Sequence, residues 1–363
     1  MSRAAIVTAK DRPMEVRDVE WRAPAEHEVR VRVRACGVCH SDLSVLNEYF
    51  GCPTPVILGH EAAGVVEQVG ASVEGVAVGD AVVACWSPAC GTCRFCRRGR
   101  PHLCNLADDP TSRAMDRVTA DGEAVAQFLG VGGFSEEIVL ADNALVKIDA
   151  AMPLDKAALL GCAVITGYGA AVHAARVVEG DEVAVFGCGG VGLNVVQGAR
   201  LRGARTIVAI DVDPAKLELA TKLGATHTLD GKADDLHKQI RALTEERAGV
   251  DYAFDAVGNV DLARTAFQSI AKGGEVILVG IAHFKDKLAL SQIVAVTQEK
   301  GVRGTTNGSA DTWQAVPQLI DLYQAGDLDL DQLVSETYDL DSINEAISDL
   351  RDGRNARGVV LFD

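Results

Sequence analysis

The chain has 363 residues, 48% of them hydrophobic and 24% charged, a balance that fits a globular protein with core enough for about two domains. Its 51 acidic side chains against 35 basic ones leave a formal charge of -16, so a nucleic acid would have to bind against the field of the whole molecule. No nucleic-acid partner is therefore expected. The start MSRAAIVTAKDRPMEV carries no signal-like apolar run, and no stretch of about 18 uncharged apolar residues follows, so a soluble, cytoplasmic protein with no membrane partner is expected.

Residues 29–34, VRVRVR, alternate strictly and predict a strand with one buried face. ACGVCHSDLS follows, and then the Gly-rich, apolar PVILGHEAAGVVEQVG, with His60 and Glu61 at its centre. Next comes CWSPACGTCRFCRRGRPHLC. In a reducing cytoplasm a dense cysteine array is more often a metal site than a disulfide framework. Cys90, Cys93, Cys96 and Cys104 can wrap a tetrahedral ion, because two-residue spacers and the glycines Gly91 and Gly99 let the chain curl until four thiolates point inward. A ferredoxin run also opens CxxCxxC, but its fourth cysteine follows after three residues and precedes a proline; here seven residues intervene and Asn105 follows. Structural zinc is the expectation, and with four thiolates closing its shell such an ion does no chemistry. Cys36, Cys52, Cys85 and Cys188 have no ligand-like spacing and read as core, and His102 as surface or packing.

Period-2 strands and Gly/Pro breaks dominate to about residue 150, which makes the first part β-rich. From about residue 165 the short apolar strands EVAVFG, TIVAID, THTLD, VDYAFDAVG and GEVILVG alternate with helical stretches such as PAKLELATKL. That is the pattern of a parallel sheet with crossover helices. Beyond residue 306 the chain returns to helix, WQAVPQLIDLYQAG, and short strand, with no internal repeat or low-complexity linker. In EVAVFGCGGVGLNVV, Gly187, Gly189 and Gly192 form G-x-G-x-x-G between strand and helix: a tight turn, a close approach to pyrophosphate, and close helix packing. Asp211 ends the next strand nineteen residues after Gly192, where a carboxylate accepts from ribose hydroxyls and repels a 2′-phosphate. NAD is therefore favoured over NADP.

CGVCHSD, GHEAAGVVEQVG, CGTCRFCRRGRPHLC, GCAVITGYGA and FGCGGVGLNVV occur in the order found in zinc-dependent alcohol dehydrogenases of the medium-chain dehydrogenase/reductase superfamily, which the chain resembles over nearly its whole length. The resemblance implies an α/β protein: a GroES-like, β-rich catalytic domain from residues 1–163 and 307–363, and a Rossmann domain, a doubly wound parallel sheet, from 164–306. It implies two zinc ions per chain, with the four-cysteine cluster as the structural one. Cys39, His60 and Cys162 match the family's three catalytic ligands, and Cys₂His with an open position is a known catalytic set. A free alcohol holds its proton too tightly at neutral pH, and a Lewis-acidic metal lowers that pKa steeply.

The remaining roles also come from the resemblance. Asp42 matches the group that accepts a hydrogen bond from the ligand histidine. Glu61 either approaches the zinc from behind or is a buried carboxylate held by a neighbouring arginine. Ser41 matches the hydroxyl that takes the alcohol's proton. His40 and Arg357 are expected at the cofactor pyrophosphate, Thr166 and Val191 beside the nicotinamide, Lys216 at the adenosine ribose, and Gly190 and Ile281 elsewhere along the cofactor. Where many members end the proton relay in a histidine, this chain has Ser44. Trp86, Phe50 and Phe128, faced by Ile281, align with the alcohol pocket, or are plain core. The implied activity is NAD-dependent oxidation of medium-chain or aromatic primary alcohols to aldehydes, and the reverse. A thiol-linked formaldehyde dehydrogenase, suggested by TSRAMDRVTADG, QFLGVGGFSEE and Arg113, is the alternative, with glutathione or mycothiol as carrier. A non-catalytic metal-binding or electron-transfer protein is the remote one. A homodimer or homotetramer is expected, paired through the strand near GGEVILVGI.

Overall fold

The structure, a computed structural model, describes residues 2–9, 12–47, 52–105 and 116–363. It divides into two compact units, Met1–Ala163 with Asp311–Gly326 and Leu330–Asp363, and Val164–Ala310 with Asp327–Asp329. The expected changeovers were 163/164 and 306/307; the chain leaves the second unit after Ala310.

Along the first unit run β1 (Ser2–Val7), β2 (Glu15–Trp21), β3 (Glu28–Gly37), β4 (Val56–Ile57), β5 (Glu61–Val69), β6 (Ala81–Ala84), β7 (Val118–Ala120), β8 (Glu123–Ala124), β9 (Ala126–Gln127), β10 (Glu137–Ala141) and β11 (Leu145–Ile148). Among the described residues one sheet has the order β8-β7-β2-β1-β4-β9. In the other, β3 lies at the centre, antiparallel to both β5 and β10. The VRVRVR alternation has the consequence the pattern predicts: Val29, Val31 and Val33 enter the core, while Arg30 pairs with Glu137 and Arg32 with Glu67 outside it.

The second unit holds β12 (Glu182–Phe186), β13 (Thr206–Asp211), β14 (His227–Asp230), β15 (Val250–Asp255), β16 (Ile270–Leu278) and β17 (Gly301–Gly304), in the order β14-β13-β12-β15-β16-β17. Every pairing is parallel. Strand order reverses at β12, and the crevice outside the strand ends at such a reversal is where doubly wound sheets bind ligands. The strand near GGEVILVGI, expected where subunits pair, is β16 and is paired on both sides; among the described residues the edges of this sheet are β14 and β17. The chain then returns to the first unit, where β18 (Glu336–Tyr338) pairs with β19 (Gly358–Leu361), and β19 lies antiparallel to β3.

One helical run differs from expectation. Leu154–Ala175 is long and apolar enough to cross a membrane by length and composition, yet 78% of its apolar window is buried within the protein, as in a core helix. Two π-helical turns interrupt it, Leu160–Val164 and Ala170–Ala175.

Candidate active site

β3 ends at Gly37, and the chain turns into the short helix His40–Leu46 with Cys39 as its N-cap. The Asp42 carboxylate accepts the Cys39 N–H at 3.0 Å, which satisfies a donor the helix start would leave orphaned. Its other oxygen accepts the Gly59 N–H at 2.9 Å and faces His60 Nδ1 at 3.3 Å. A carboxylate only accepts, so in the neutral, metal-binding form of the ring Nδ1 carries the hydrogen and Nε2 keeps its lone pair. That Nε2 is buried and has no hydrogen-bond partner. One side chain thus fixes the position of Cys39 and the tautomer of His60, as the resemblance implied for Asp42.

Glu61 opens β5 opposite Gly37. The glycine leaves room for that carboxylate, since a Cβ at position 37 would lie 2.2 Å from Glu61 Oε2. Cys162 comes from the first π-helical turn. The extra residue of such a turn re-aims side chains, which is why these turns gather at functional sites. Its neighbour Gly161 lets the turn press on β6: an added Cβ would meet the Ala84 carbonyl oxygen at 2.8 Å. One ligand atom from each of Cys39, His60, Glu61 and Cys162 falls within 4.8 Å of the others, and all four residues are buried.

The donor set fits a zinc ion. His60 Nε2 and Glu61 Oε2 are buried with no hydrogen-bond partner, and two sulfurs beside one imidazole match a borderline-soft dication. The hydrogen bond from Cys162 holds Cys39 well below the usual thiol range, and the same contact pushes Cys162 well above it. Burial alone would lower His60, but Asp42 and Cys39 outweigh it and raise it well above the usual value.

Burial pushes the Glu61 carboxyl up to about 7, against the pull of Arg357. The Arg357 guanidinium donates to Glu61 Oε1, and to the Val38 carbonyl at 3.1 Å. Arg357 is a buried counter-ion of Glu61. Of the two sequence readings of Glu61, the arginine-held one is seen at Oε1, and the carboxyl also counts among the candidate metal donors. Ser41 Oγ lies 3.8 Å from Cys39 Sγ, at the edge of the cluster. The Ser44 hydroxyl donates to the His40 carbonyl at 2.9 Å, a bond within its own helix.

Cys90, Cys93, Cys96 and Cys104 form the second group of ligand atoms within 4.8 Å of one another. Cys93 and Cys96 are 3.5 Å apart at sulfur, far beyond the roughly 2.05 Å of a disulfide. Backbone N–H groups point at sulfur, Cys90 to Cys104 at 3.2 Å and Cys93 to Cys90 at 3.3 Å. Gly91 and Gly99 supply the positive φ of the knuckles, 71° and 70°. The Thr92 hydroxyl brings Cys90 down to about 6, whereas burial and the neighbouring sulfurs push Cys96 up to about 12. Four sulfurs leave no open position, so this lobe fits a structural ion. Among the other cysteines, Cys36, Cys85 and Cys188 are buried and unbridged, and Cys52 is half-buried.

In the second unit the glycine turn leaves β12 at Gly187, φ 92°, and feeds the helix Gly190–Leu201. A Cβ on Gly192 would come 1.7 Å from the Gly187 carbonyl oxygen, while one on Gly189 would meet nothing within 4 Å. The first result explains a close helix packing; the second marks an open cradle at the helix N-terminus, where a phosphate group fits. Asp211 leans over this turn, with Oδ2 accepting the Cys188 N–H at 2.7 Å and Oδ1 the Asp213 N–H at 3.0 Å. Lys216 is close enough to act electrostatically on Cys188. Thr166 and Val191 belong to helices in close contact, as a Cβ on Gly167 would lie 2.1 Å from the Val191 carbonyl oxygen. Ile281 is exposed beyond β16, and His40 is exposed in the first unit.

Of the expected pocket residues, Phe50 lies outside the described residues, as does Arg113. Phe128 is buried, its ring edge-on to His60 at 5.5 Å and 85°. It braces the histidine. Trp86 is half-buried against the core of the first unit. Sequence reasoning missed Gly37, and it did not identify Arg357, 296 positions away, as the arginine that holds Glu61, for which no local signal exists.

A β-rich unit that gathers two thiols, an imidazole and a carboxyl, together with a parallel-sheet unit opened by a glycine turn, is the build of a metal-dependent dehydrogenase. Comparison with known proteins gives the same class. Residues 25–150 match the alcohol dehydrogenase GroES-like domain and residues 190–325 the zinc-binding dehydrogenase domain. An NDMA-dependent alcohol dehydrogenase of Amycolatopsis methanolica is 39% identical, covering 99% of this chain and 98% of that protein. An alcohol dehydrogenase zinc-binding domain protein from Burkholderia ambifaria superposes with a TM-score of 0.94 at 33% identity, over 100% of this chain and 99% of that one. Benzyl alcohol dehydrogenase from Acinetobacter calcoaceticus does so with 0.93 at 29%, over 100% and 99%. The chain belongs to the zinc-dependent alcohol dehydrogenases of the medium-chain dehydrogenase/reductase superfamily.

Proposed function

We propose that this alcohol dehydrogenase interconverts primary alcohols, medium-chain or aromatic, and their aldehydes, with NAD as hydride acceptor. The observation that carries the reading is the convergence of Cys39, His60, Glu61 and Cys162 with His60 Nε2 left unpaired. Cys39, His60 and Cys162 would hold the catalytic zinc, which when bound supplies Lewis acidity that lowers the pKa of an alcohol hydroxyl. Asp42 keeps the imidazole in the tautomer that presents Nε2, and Phe128 limits its tilt. The Ser41 hydroxyl receives the alcohol's proton. From there the proton leaves toward solvent, and the Ser44 hydroxyl is bonded within its own helix. The Asp211 carboxylate at the glycine turn favours a free ribose 2′-hydroxyl over a phosphate.

The molecule is proposed to be cytoplasmic and homo-oligomeric. The open edge of β17, with Ile293 and Val296 exposed at 71% and 70% on the preceding helix, supports pairing through that side of the second unit.

The test is a screen of primary alcohols for NADH formation, beside metal analysis. Parallel arms supply formaldehyde with glutathione or mycothiol, and NDMA in place of added NAD, the latter because a relative bears that dependence in its name. NADH formation from simple primary alcohols, with about two zinc ions per chain, supports the reading. Turnover of formaldehyde only with a thiol carrier moves the assignment to the thiol-linked alternative. Turnover only with NDMA removes free NAD as the acceptor.

A further inference from the structure

The four-cysteine lobe has two properties that holding a structural ion does not require. The first is access. Cys90, Cys93 and Cys96 are half-buried, whereas Cys39 and Cys162, and the spare thiols Cys36, Cys85 and Cys188, are buried. Cys93 and Cys96 lie 3.5 Å apart at sulfur, closer than Cys93 and the buried Cys104 at 3.9 Å. The pair also shares one helical turn, since the Arg97 N–H donates to the Cys93 carbonyl at 3.0 Å. Cα atoms three positions apart in such a turn are about 5 Å from each other, inside the range that a disulfide spans. Rotation of the two side chains then closes the remaining gap.

The second property is charge. No acidic residue occurs from Ala81 to Ala107, in a chain with 51 acidic side chains. Arg94, Arg97, Arg98 and Arg100 are all exposed on the lobe. Arg94 lies over the Phe95 ring at 5.3 Å and Arg97 donates to the Thr92 carbonyl, while no carboxylate pairs with any of the four among the described residues. Arg3, Arg17 and Arg30, by contrast, pair with Glu136, Asp121 and Glu137. An anion that comes within a Debye length of the lobe, about 8 Å, therefore meets a positive field, although the molecule as a whole repels it.

We propose that the lobe is an oxidation site for anionic peroxides, which join Cys93 and Cys96 in a disulfide and open the cage. One of the two thiolates attacks the outer oxygen of a peroxide HO–O–X whose X group carries the negative charge; the O–O bond breaks and the X–O oxygen takes the electron pair. The second thiolate attacks the sulfenic acid so formed, the S–S bond forms, and the oxygen leaves as hydroxide. Two thiolates lose two electrons and the peroxide gains them. With two of its four donors withdrawn, the lobe no longer completes a tetrahedral shell. This inference goes beyond the alcohol reaction and does not depend on it.

The zinc-loaded parent tests it. Treatment with an equimolar amount of peroxymonosulfate is followed by maleimide under denaturing conditions and then by trypsin. Trypsin cuts after Arg94, so the peptides that carry Cys93 and Cys96 should stay joined through the disulfide alone. Cys39 and Cys162 should carry maleimide, and about one zinc ion per chain should pass to a chromogenic chelator. Oxidation of Cys39, Cys162 or Cys52 ahead of the lobe, a lobe disulfide between any other pair, or full retention of zinc overturns the proposal. The selection for anions has its own readout. Replacing Arg98 and Arg100 by glutamine should slow disulfide formation by peroxymonosulfate about threefold at low salt and leave the rate with hydrogen peroxide unchanged. Equal rates with peroxymonosulfate in parent and variant, or equal slowing with both reagents, overturn it as well.

Discussion

Replacing Arg357 by methionine removes the positive partner of Glu61 while keeping much of the side-chain volume. The two side chains are 3% and 0% exposed, so water does not screen the loss. Removing one member of a buried ion pair costs about 3–5 kcal/mol, because a charge is left uncompensated in a medium that solvates it poorly. For a unit of this size about 2–4 °C of melting temperature corresponds to each kcal/mol; because Glu61 can take up a proton instead of staying charged, the deficit at pH 8 should reach about 1.4 kcal/mol, or roughly 3–6 °C. The pH dependence follows from the direction of the shift. Burial already raises the Glu61 carboxyl to about 7 with arginine present, and without arginine it rises further. Below the unfolded value, near 4.5, both states are protonated and the group contributes no difference. As pH climbs from there toward the folded value, the unfolded state gives up its proton first, and stability falls by about 1.4 kcal/mol per unit. The deficit of Arg357→Met should therefore be small near pH 5 and widen to pH 8. Scanning calorimetry at both values, with zinc content measured in each sample, reads it. Glu61→Gln with Arg357→Met should recover part of the loss, since the orphaned charge is gone. A deficit below 2 °C at pH 8, or an equal deficit at both pH values, would refute the buried-pair account.

Cys104→Ser should lower zinc from about two ions to about one per chain and reduce thermal stability, because a structural ion contributes folding energy directly; a variant with full stability that loses only turnover would reverse the division between the two sites. Asp211→Gly should raise the NADP over NAD ratio of kcat/KM by about tenfold or more, since the carboxylate leans over the glycine turn, and an unchanged ratio would remove Asp211 from the ribose site. For Glu28, burial would raise the carboxyl, yet hydrogen bonds from Arg22, the Ala25 N–H and Arg117 bring it to about 2. Its folded value is depressed, so its contribution is present above about pH 4.5 and fades as pH falls toward 2, worth roughly 1–2 kcal/mol once exposure of Arg22 is discounted. The urea midpoints of parent and Glu28→Gln should differ at pH 6 and draw together by pH 3, and a gap that stays constant contradicts the assignment.

Much of this protein is written in short stretches. The spacing of Cys90, Cys93, Cys96 and Cys104 encodes its own cage, because two-residue knuckles and two glycines close within one loop and need little from the rest of the chain. The glycine turn and Asp211 are local in the same sense, a strand, a turn and the next strand end. The VRVRVR alternation declares a buried face without naming its partner. Tertiary structure had to decide the rest. Which strand forms the edge of the parallel sheet depends on whether Gly301–Gly304 joins it, and that short segment has too little apolar pattern to announce itself. The apolar run Leu154–Ala175 fits a membrane by composition, and only packing makes it a core helix. The carboxyl of Glu61 is tied to a guanidinium 296 positions away, brought close because β19 pairs with the same strand, β3, as β5 does. Patterns within one turn or one strand report forces that act within it, whereas a buried charge and its partner meet only where sheet pairing carries them, and no local propensity encodes that meeting.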